Sequence, residues 1–518
     1  MKQHLVTTLN AIIVEYNLDS TVVDFTGSNG VSQMKYSVRD SIAHTLILGQ
    51  TGSGKTSGSA RFFSLKYLSM GYAGIVLTTK PDDKKQFIEY CKIVNRLDDL
   101  IVIGVGEKNY FNFLEYESTD KTNVKSYTSN VLEILKTAFQ ASEEQNESYS
   151  DDPFWVSSRN MLVYNVLELC LLAYEKVSIK NIYDIVTSIP SSENTTPPDK
   201  KITGSFAHAV ETARVKVNSQ VETFLKQLDT DQRKALNEEH LMEAAILEAI
   251  QDAKRLKAVD RFFIQQYRDL SSKTRSIIDL SVSGFLFNLM QEPIYSLLCG
   301  HSSTVTPEDC LNNGKIVLID LPVKLYDKAG RDAQILFKYC FQRAFEKRDV
   351  QQKSRPVFII ADEAQLFLHP KDADFQSTAR SSHVAILYIT QNLASFYSSM
   401  GGAKYKEKVD YLLGNFNTII FHANTHQETN KYASELLGYE EMVEESHSEN
   451  YSNNFSFGKS ESKKLKPRVR PEEFVKLKSG TFENNYLVEA YMHIQSKPFS
   501  NGLHFKKVTF HQNWMPNI

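Results

Sequence analysis

GQTGSGKT, Gly49 to Thr56, fits the phosphate-binding loop G-x-x-x-x-G-K-[ST] at every fixed position. An apolar run, Thr45 to Leu48, precedes it and reads as a strand. Ser57 to Met70 follows and reads as a helix. Small residues let consecutive backbone N–H groups curl around a phosphate, and the helix start adds unpaired donors and a favourable dipole. The loop residues Gly49, Thr51, Gly52, Ser53, Gly54, Lys55 and Thr56 are therefore candidates for binding ATP. Lys55 would reach the β- and γ-phosphates and Thr56 would hold Mg²⁺.

A site of this kind needs a second strand that ends in carboxylates. PVFIIADEAQ, Pro356 to Gln365, supplies one. Asp362 is the candidate for the Mg²⁺ shell, and Glu363 the candidate that polarises the attacking water. The next strand-like run, Val384 to Ile389, ends in Thr390-Gln391, where a polar side chain could sense the γ-phosphate. Arg380 lies just before that run and could face a neighbouring subunit, stabilising transition-state charge in trans.

Further apolar runs set these motifs in a larger pattern: Ala73 to Asp83, Leu100 to Gly106, Gly314 to Pro322, Asn417 to Asn424 and Tyr486 to Ile494. Short apolar runs alternating with helical stretches predict an α/β fold with a mostly parallel sheet flanked by helices. From about 122 to 302 the strand pattern stops and helical periodicity takes over, as in Met161 to Glu175 and Ala235 to Leu256. The expected organisation is an N-terminal part of the sheet domain at 1–121, an inserted all-helical domain at 122–302, and the rest of the sheet domain at 303–518. Residues 1 to 45 read as short strands with turns. The tract at 444–464, rich in Ser, Asn and Glu, is expected to be a mobile loop.

Composition narrows the setting. The chain has 518 residues and a net charge of -3, so any nucleic-acid surface must be local. Its five cysteines form no C-x-x-C pair and read as reduced thiols. The start does not have the form of a signal peptide, and no run of about 20 apolar residues is present. The expectation is a cytoplasmic protein.

Taken together, GQTGSGKT, IVLIDLP, VFIIADEAQ and ARSSHVAILYITQN resemble the FtsK-HerA superfamily of DNA-pumping ATPases. Within it the likeness is closest to type IV secretion and conjugation coupling proteins. FNFLEYE (Phe111 to Glu117), DDPFW (Asp151 to Trp155), YASELLG (Tyr432 to Gly438) and RPEEFVKLKSG (Arg470 to Gly480) carry it beyond the ATP site. The resemblance implies a RecA-like core, an all-alpha domain and a homo-oligomer of six subunits. It also implies ATP at subunit interfaces, Arg380 as an arginine finger, and DNA in a central channel. Membrane-bound members carry N-terminal spanning helices and this sequence starts without one, so direct anchoring at a conjugation pore is not expected.

Two stretches bear on DNA directly. Ala253 to Ser276 mixes Lys254, Arg255, Lys257, Arg261, Arg268, Lys273 and Arg275 with Phe262, Phe263 and Tyr267. That mixture suits phosphate neutralisation and base stacking. A helix with a solvated charged face accounts for it equally. Lys459 to Arg470 is a basic run that a solvated surface also explains. Three functions stay open: a ring-forming DNA translocase, a nucleotide-controlled switch serving an effector such as a nuclease in phage defence, and a protein-substrate motor for secretion. A relaxase or secretion partner would accompany the first or the last.

Overall fold

The computed structural model describes residues 16–26, 30–119, 127–144, 153–190, 204–352, 354–400, 406–451 and 455–516. Parts of the expected N-terminal strand region and of the polar breaks near 141–152 and 191–200 lie outside them. The chain forms two compact units. One takes the residues up to Val102, Pro307–Leu325 and Phe341 onwards; the other takes Ile103–Thr306 and Tyr326–Cys340.

The first unit is built on the strands β1 (Thr21–Thr26), β2 (Ser32–Ser37), β3 (Thr45–Leu48), β4 (Ala73–Leu77), β5 (Leu100–Gly104), β6 (Ile316–Asp320), β7 (Val357–Asp362), β8 (Val384–Thr390), β9 (Thr418–Phe421), β10 (Tyr439–Tyr451), β11 (Phe455–Pro467), β12 (Leu487–Ile494) and β13 (Phe505–His511). Nine of them make one sheet in the order β13-β12-β9-β3-β8-β7-β4-β6-β5. β3 pairs parallel with both β8 and β9, β7 with both β8 and β4, and β4 with β6. β12 runs antiparallel to β9 and to β13. The protein is thus a mixed, mostly parallel α/β fold of RecA-like type. β3, β4 and β8 are buried at every position. Helices on both faces explain why these strands are continuous apolar runs and do not alternate.

Register decides where the chemistry gathers. Leu48 stands opposite Thr390 on one side and Phe421 on the other. Leu77 stands opposite Ala361 and Ile319, and Asp362 opposite Ile389. The residues that follow β3, β4, β7, β8 and β9 therefore leave the sheet at one edge, its C-terminal edge. Open α/β sheets bind their ligands there.

Two expectations are refined or changed. The helical periodicity read over Ala235 to Leu256 is carried by separate helices, Thr230–Ala235, Glu239–Ala249 and Gln251–Arg261. Ile250 is extended and buried at the second break, so its apolar side chain turns inward where a straight helix would carry it past. The second change is at 444–464, expected as a loop. Its described residues form a two-stranded antiparallel ribbon of β10 with β11. Ladder hydrogen bonds pair its strands, and solvated cross-strand ion pairs run from Lys463 to Glu441 (3.5 Å) and from Lys464 and Lys466 to Glu444 (2.7 and 2.5 Å). β13 is a strand the sequence pattern did not reveal.

Among its described residues the second unit is helical apart from its entry from β5. Tyr127–Glu144, Pro153–Tyr174, Ser205–Gln227 and Ser272–Leu289 are long helices in it. None of the described helices is long and apolar enough to cross a membrane.

Candidate active site

The loop between β3 and its helix depends on close approach of backbone. A Cβ on Gly49 would lie 2.5 Å from Ser53 Oγ and 2.7 Å from His422 Cβ. Gly54 has φ +81°, and a Cβ there would meet Val488 at 2.7 Å and the Ser479 carbonyl at 2.8 Å. Only glycine satisfies both conditions. Thr51, Gly52, Gly54, Lys55, Thr56 and Ser57 line a cavity of about 590 Å³. Gly49 and Ser53 lie beneath the loop and do not line it; Ser53 is buried. Their part is to shape the loop.

The opposite wall comes from β7 and β8. Thr56 Oγ1 donates to Asp362 Oδ2 at 3.1 Å. Neighbouring ligands on an octahedral Mg²⁺ with bonds of about 2.1 Å are about 3 Å apart, so this pair fits that ion. Asp362 Oδ1 accepts from the Glu363 amide at 2.9 Å, so both carboxylate oxygens are oriented. Glu363 itself is in the left-handed region, φ 53° and ψ 49°. For a residue with a Cβ this costs about 1–2 kcal/mol, and such strain collects where a side chain must be aimed against the run of its strand.

The aim of Glu363 is fixed by amides on both sides. Gln391 Nε2 donates to Oε1 at 3.1 Å and Gln365 Nε2 to Oε2 at 2.8 Å. Gln365 is held in turn by Thr390, whose hydroxyl donates to Gln365 Oε1 at 2.8 Å. Lys55 Nζ stands 4.0 Å from Glu363 Oε1, and both residues are buried. The geometry thus brings Lys55, Thr56, Glu363 and Gln391 around one cavity, with Asp362 beside it on the Thr56 hydroxyl. Gln391 meets Glu363 directly.

Arg380 is elsewhere. It follows the helix Asp372–Ala379, is exposed, and does not line the cavity. It precedes β8 while Gln391 follows it. The seven residues of β8 put about 23 Å between the two ends.

Sequence reasoning missed four contributors. Thr79, after β4, donates from Oγ1 to the Asp362 carbonyl at 2.9 Å. Lys80 Nζ is 3.9 Å from Asp362 Oδ2. Gln365 was visible as the last letter of DEAQ, but nothing in spacing links it to Thr390. His422, after β9, supports the loop from below. Its Nδ1 lies 3.1 Å from the Glu489 carbonyl, so that nitrogen carries the proton, and Nε2 accepts from Ser59 Oγ at 2.7 Å. Burial lowers its pKa to about 4, and Lys55 adds to that against the Glu489 carbonyl, so the ring is neutral at pH 7. Burial likewise raises the Asp83 carboxyl, which caps the backbone of Thr79 and Lys80, and the nearby Asp362 charge pushes the same way.

Residues 356–479, which include Asp362, Glu363, Arg380 and Gln391, match the family described as the TraM recognition site of TraD and TraG. The family match covers this segment alone, and over the rest of the chain the likeness is one of fold. A bacterial conjugative coupling protein, TrwBdeltaN70 in an unbound form, is similar over 96% of this chain and 90% of that one, with 13% identity and a TM-score of 0.56. The plasmid coupling protein TrwB in complex with a non-hydrolysable ATP analogue gives 96%, 91%, 13% and 0.56. The same protein with ADP and Mg²⁺ gives 96%, 90%, 13% and 0.52. No curated protein matches the sequence.

Several residues of the stretches considered for DNA are engaged within the fold, while Lys254, Arg261, Arg268 and Lys273 are exposed. Phe262, Phe263 and Tyr267 are buried in the helical unit. Arg255 pairs with Glu168 and Asp252, and Lys257 with Glu243. Arg275 is buried, bonded to the Pro190 carbonyl and stacked over Tyr267. On the ribbon, Lys463, Lys464, Lys466 and Arg468 face Glu441, Glu444 and Glu440.

Proposed function

We propose that this chain is an ATP-driven, ring-forming DNA motor of the coupling type, hydrolysing ATP at the interfaces between its subunits. One observation carries the reading. The cavity gathers Lys55, Lys80 and Lys324, the Thr56 hydroxyl, a fixed carboxylate and the Gln391 amide, and none of its described lining residues is an arginine; Arg61, which lines the adjoining cavity with Asp362, is bonded to the Trp514 carbonyl. Arg380 stands exposed at the other edge of the sheet. A second copy that offers its Arg380 completes the site. The similarity to proteins named as conjugative coupling proteins supports the motor reading.

In this mechanism Lys55 and the loop amides bind the β- and γ-phosphates. Thr56 and Asp362 would hold Mg²⁺, which would supply charge neutralisation. Glu363 accepts a hydrogen bond from the attacking water and orients it. Gln391 and Gln365 keep the carboxylate from swinging away. Gln391 bridges the γ-phosphate position and the end of β8, so loss of the phosphate is felt along that strand. A partner subunit's arginine then stabilises the developing charge, typically worth about 10³–10⁵ in rate.

The test is complementation. Arg380→Ala and Lys55→Ala chains, each inactive alone, should regain part of the wild-type turnover when mixed, because hybrid interfaces pair an intact Lys55 with an intact Arg380. Absence of rescue in mixed assemblies rules out action in trans.

A second reading is a nucleotide-controlled switch serving an effector such as a nuclease. It is favoured by the residues of those stretches that are already used within the fold: Arg255, Lys257, Lys464 and Lys466 in ion pairs and Arg275 by burial. DNA separates the two. A motor binds duplex or single strands with little sequence preference and turns over ATP faster in their presence, and its affinity falls steeply with salt. A switch shows neither response.

A further inference from the structure

The described polar groups that meet Glu363 lie at the γ-phosphate end of the cavity. The other end has its own construction. Ser57, which lines the cavity on the first turn of the helix, accepts a hydrogen bond from Gln512 Nε2 at 2.6 Å. Gln512 Oε1 accepts from the Thr481 amide at 3.3 Å, and the Gln512 amide donates to the Tyr486 carbonyl at 3.0 Å. The turn from Gly480 to Tyr486 is therefore tied to the start of the phosphate loop's helix through one side chain.

That turn is held in a costly conformation. Gly480, Thr481, Asn485 and Tyr486 all have positive φ, of 89°, 78°, 53° and 58°. Positive φ is uncommon for any residue with a Cβ and an outlier for a β-branched one. A Cβ on Gly480 would lie 2.6 Å from the Gln512 side chain, so the turn is pressed onto it. Internal bonds close it: Tyr486 N to the Thr481 carbonyl at 2.8 Å and Asn484 Nδ2 to the Gly480 carbonyl at 2.8 Å. Its product is an unusual display. Phe482 is 80% exposed, and its ring meets Tyr486 edge-on at 6.5 Å. Nothing in packing explains an aromatic ring presented this way beside a phosphate loop.

We infer that the turn 480–486 is a nucleobase platform, on which the Phe482 ring stacks against the purine of the nucleotide bound by the same chain. The phosphate loop cradles the α- and β-phosphates and its lysine reaches toward the γ-phosphate. With the γ-phosphate at Glu363, the sugar and base leave the cavity past Ser57, toward Gln512 and this turn. An aromatic face accepts any base, and the stack adds affinity that phosphate contacts alone do not supply. The inference rests on the reading of Gly49–Thr56 as an ATP site.

The experiment compares ADP with inorganic tripolyphosphate, which has phosphates and no base, by calorimetric titration of the full chain. Phe482→Ala is expected to weaken ADP by about tenfold or more, the usual worth of an aromatic–base stack. Tripolyphosphate affinity should stay as in the wild type. Phe482→Trp should keep ADP affinity, and its fluorescence should change on adding ADP but not tripolyphosphate, beyond any change in the wild-type chain. Equal loss of both ligands in Phe482→Ala, or no loss of either, overturns the platform. A wild-type chain that binds neither ligand overturns the ATP site and the platform with it. A Lys55→Ala chain that loses both ligands beside an unaffected Phe482→Ala overturns the platform alone.

Discussion

The C-terminal edge of the sheet and the helical stretch 253–276 use similar residue types to opposite ends. At the sheet edge, Lys55, Thr56 and Glu363 line one cavity with Gln365 and Gln391, and Asp362 meets it through the Thr56 hydroxyl. In the helical unit, Arg255, Lys257 and Arg275 are spent on Glu168, Asp252, Glu243 and a backbone carbonyl, while Phe262, Phe263 and Tyr267 fill the core. Charges that converge on empty space are costly unless a ligand uses them. Charges that meet partners within the fold are structural. Convergence, not composition, separates a site from a surface.

The largest test of that difference is Arg380→Ala. An exposed arginine far from its own cavity should be dispensable unless a neighbour uses it. Turnover is expected to fall about 10³–10⁵-fold with ATP binding intact. An unchanged rate would return Arg380 to the ordinary surface.

Next comes Glu363→Gln, which keeps the shape, turns one of the two acceptor oxygens into an amide donor and removes the base. Turnover should drop about 10²–10⁴-fold while ADP affinity holds, as read by steady-state assay and titration. Retained turnover would remove Glu363 from the role of water-orienting group.

Phe263→Ala probes the other region. Its ring packs against Phe206 at 4.9 Å, so the change should cost about 3–5 kcal/mol in denaturant unfolding. DNA affinity per folded molecule should not move. A stable variant with weakened DNA binding would make the stretch a nucleic-acid surface after all.

Acid should loosen the phosphate loop through His422. Burial depresses its pKa from an ordinary 6.5 to about 4, so between those values the unfolded chain binds a proton that the folded ring refuses. The penalty is absent above about pH 6.5, grows as pH falls and levels off below about 4. At most it reaches about 3 kcal/mol for this one ring. His422→Asn should flatten the fall in thermal midpoint between pH 7 and 4.5. An unchanged profile would mean that His44, buried and likewise depressed to about 4, dominates.

The smallest effect is expected on the ribbon. Lys464 and Lys466 hold the Glu444 carboxyl down at about 2, but all three groups are solvated. Lys464→Ala should leave the thermal midpoint as it is, since exposed pairs contribute little. A large loss of DNA affinity in that variant would show the ribbon's charges to be available to a ligand.

Much of the active site was legible because backbone chemistry constrains it tightly. A loop that must wrap a phosphate admits few residues, and a core strand that ends in Asp362-Glu363 announces itself by its apolar run. Parallel strands buried on both faces gave the α/β architecture for the same reason. Pairing between distant segments was not legible. Thr390 with Gln365, Ser59 with His422 and Ser57 with Gln512 lie 25, 363 and 455 residues apart, and no local pattern records such contacts. The ribbon β10–β11 escaped because backbone ladder hydrogen bonds pair its strands, while its polar composition reads as a loop. Local sequence determined which backbone could bind a phosphate and where a carboxylate could stand. Tertiary structure alone decided which side chains are buried, which charges are already paired, and so which of several polar stretches is left free to do chemistry.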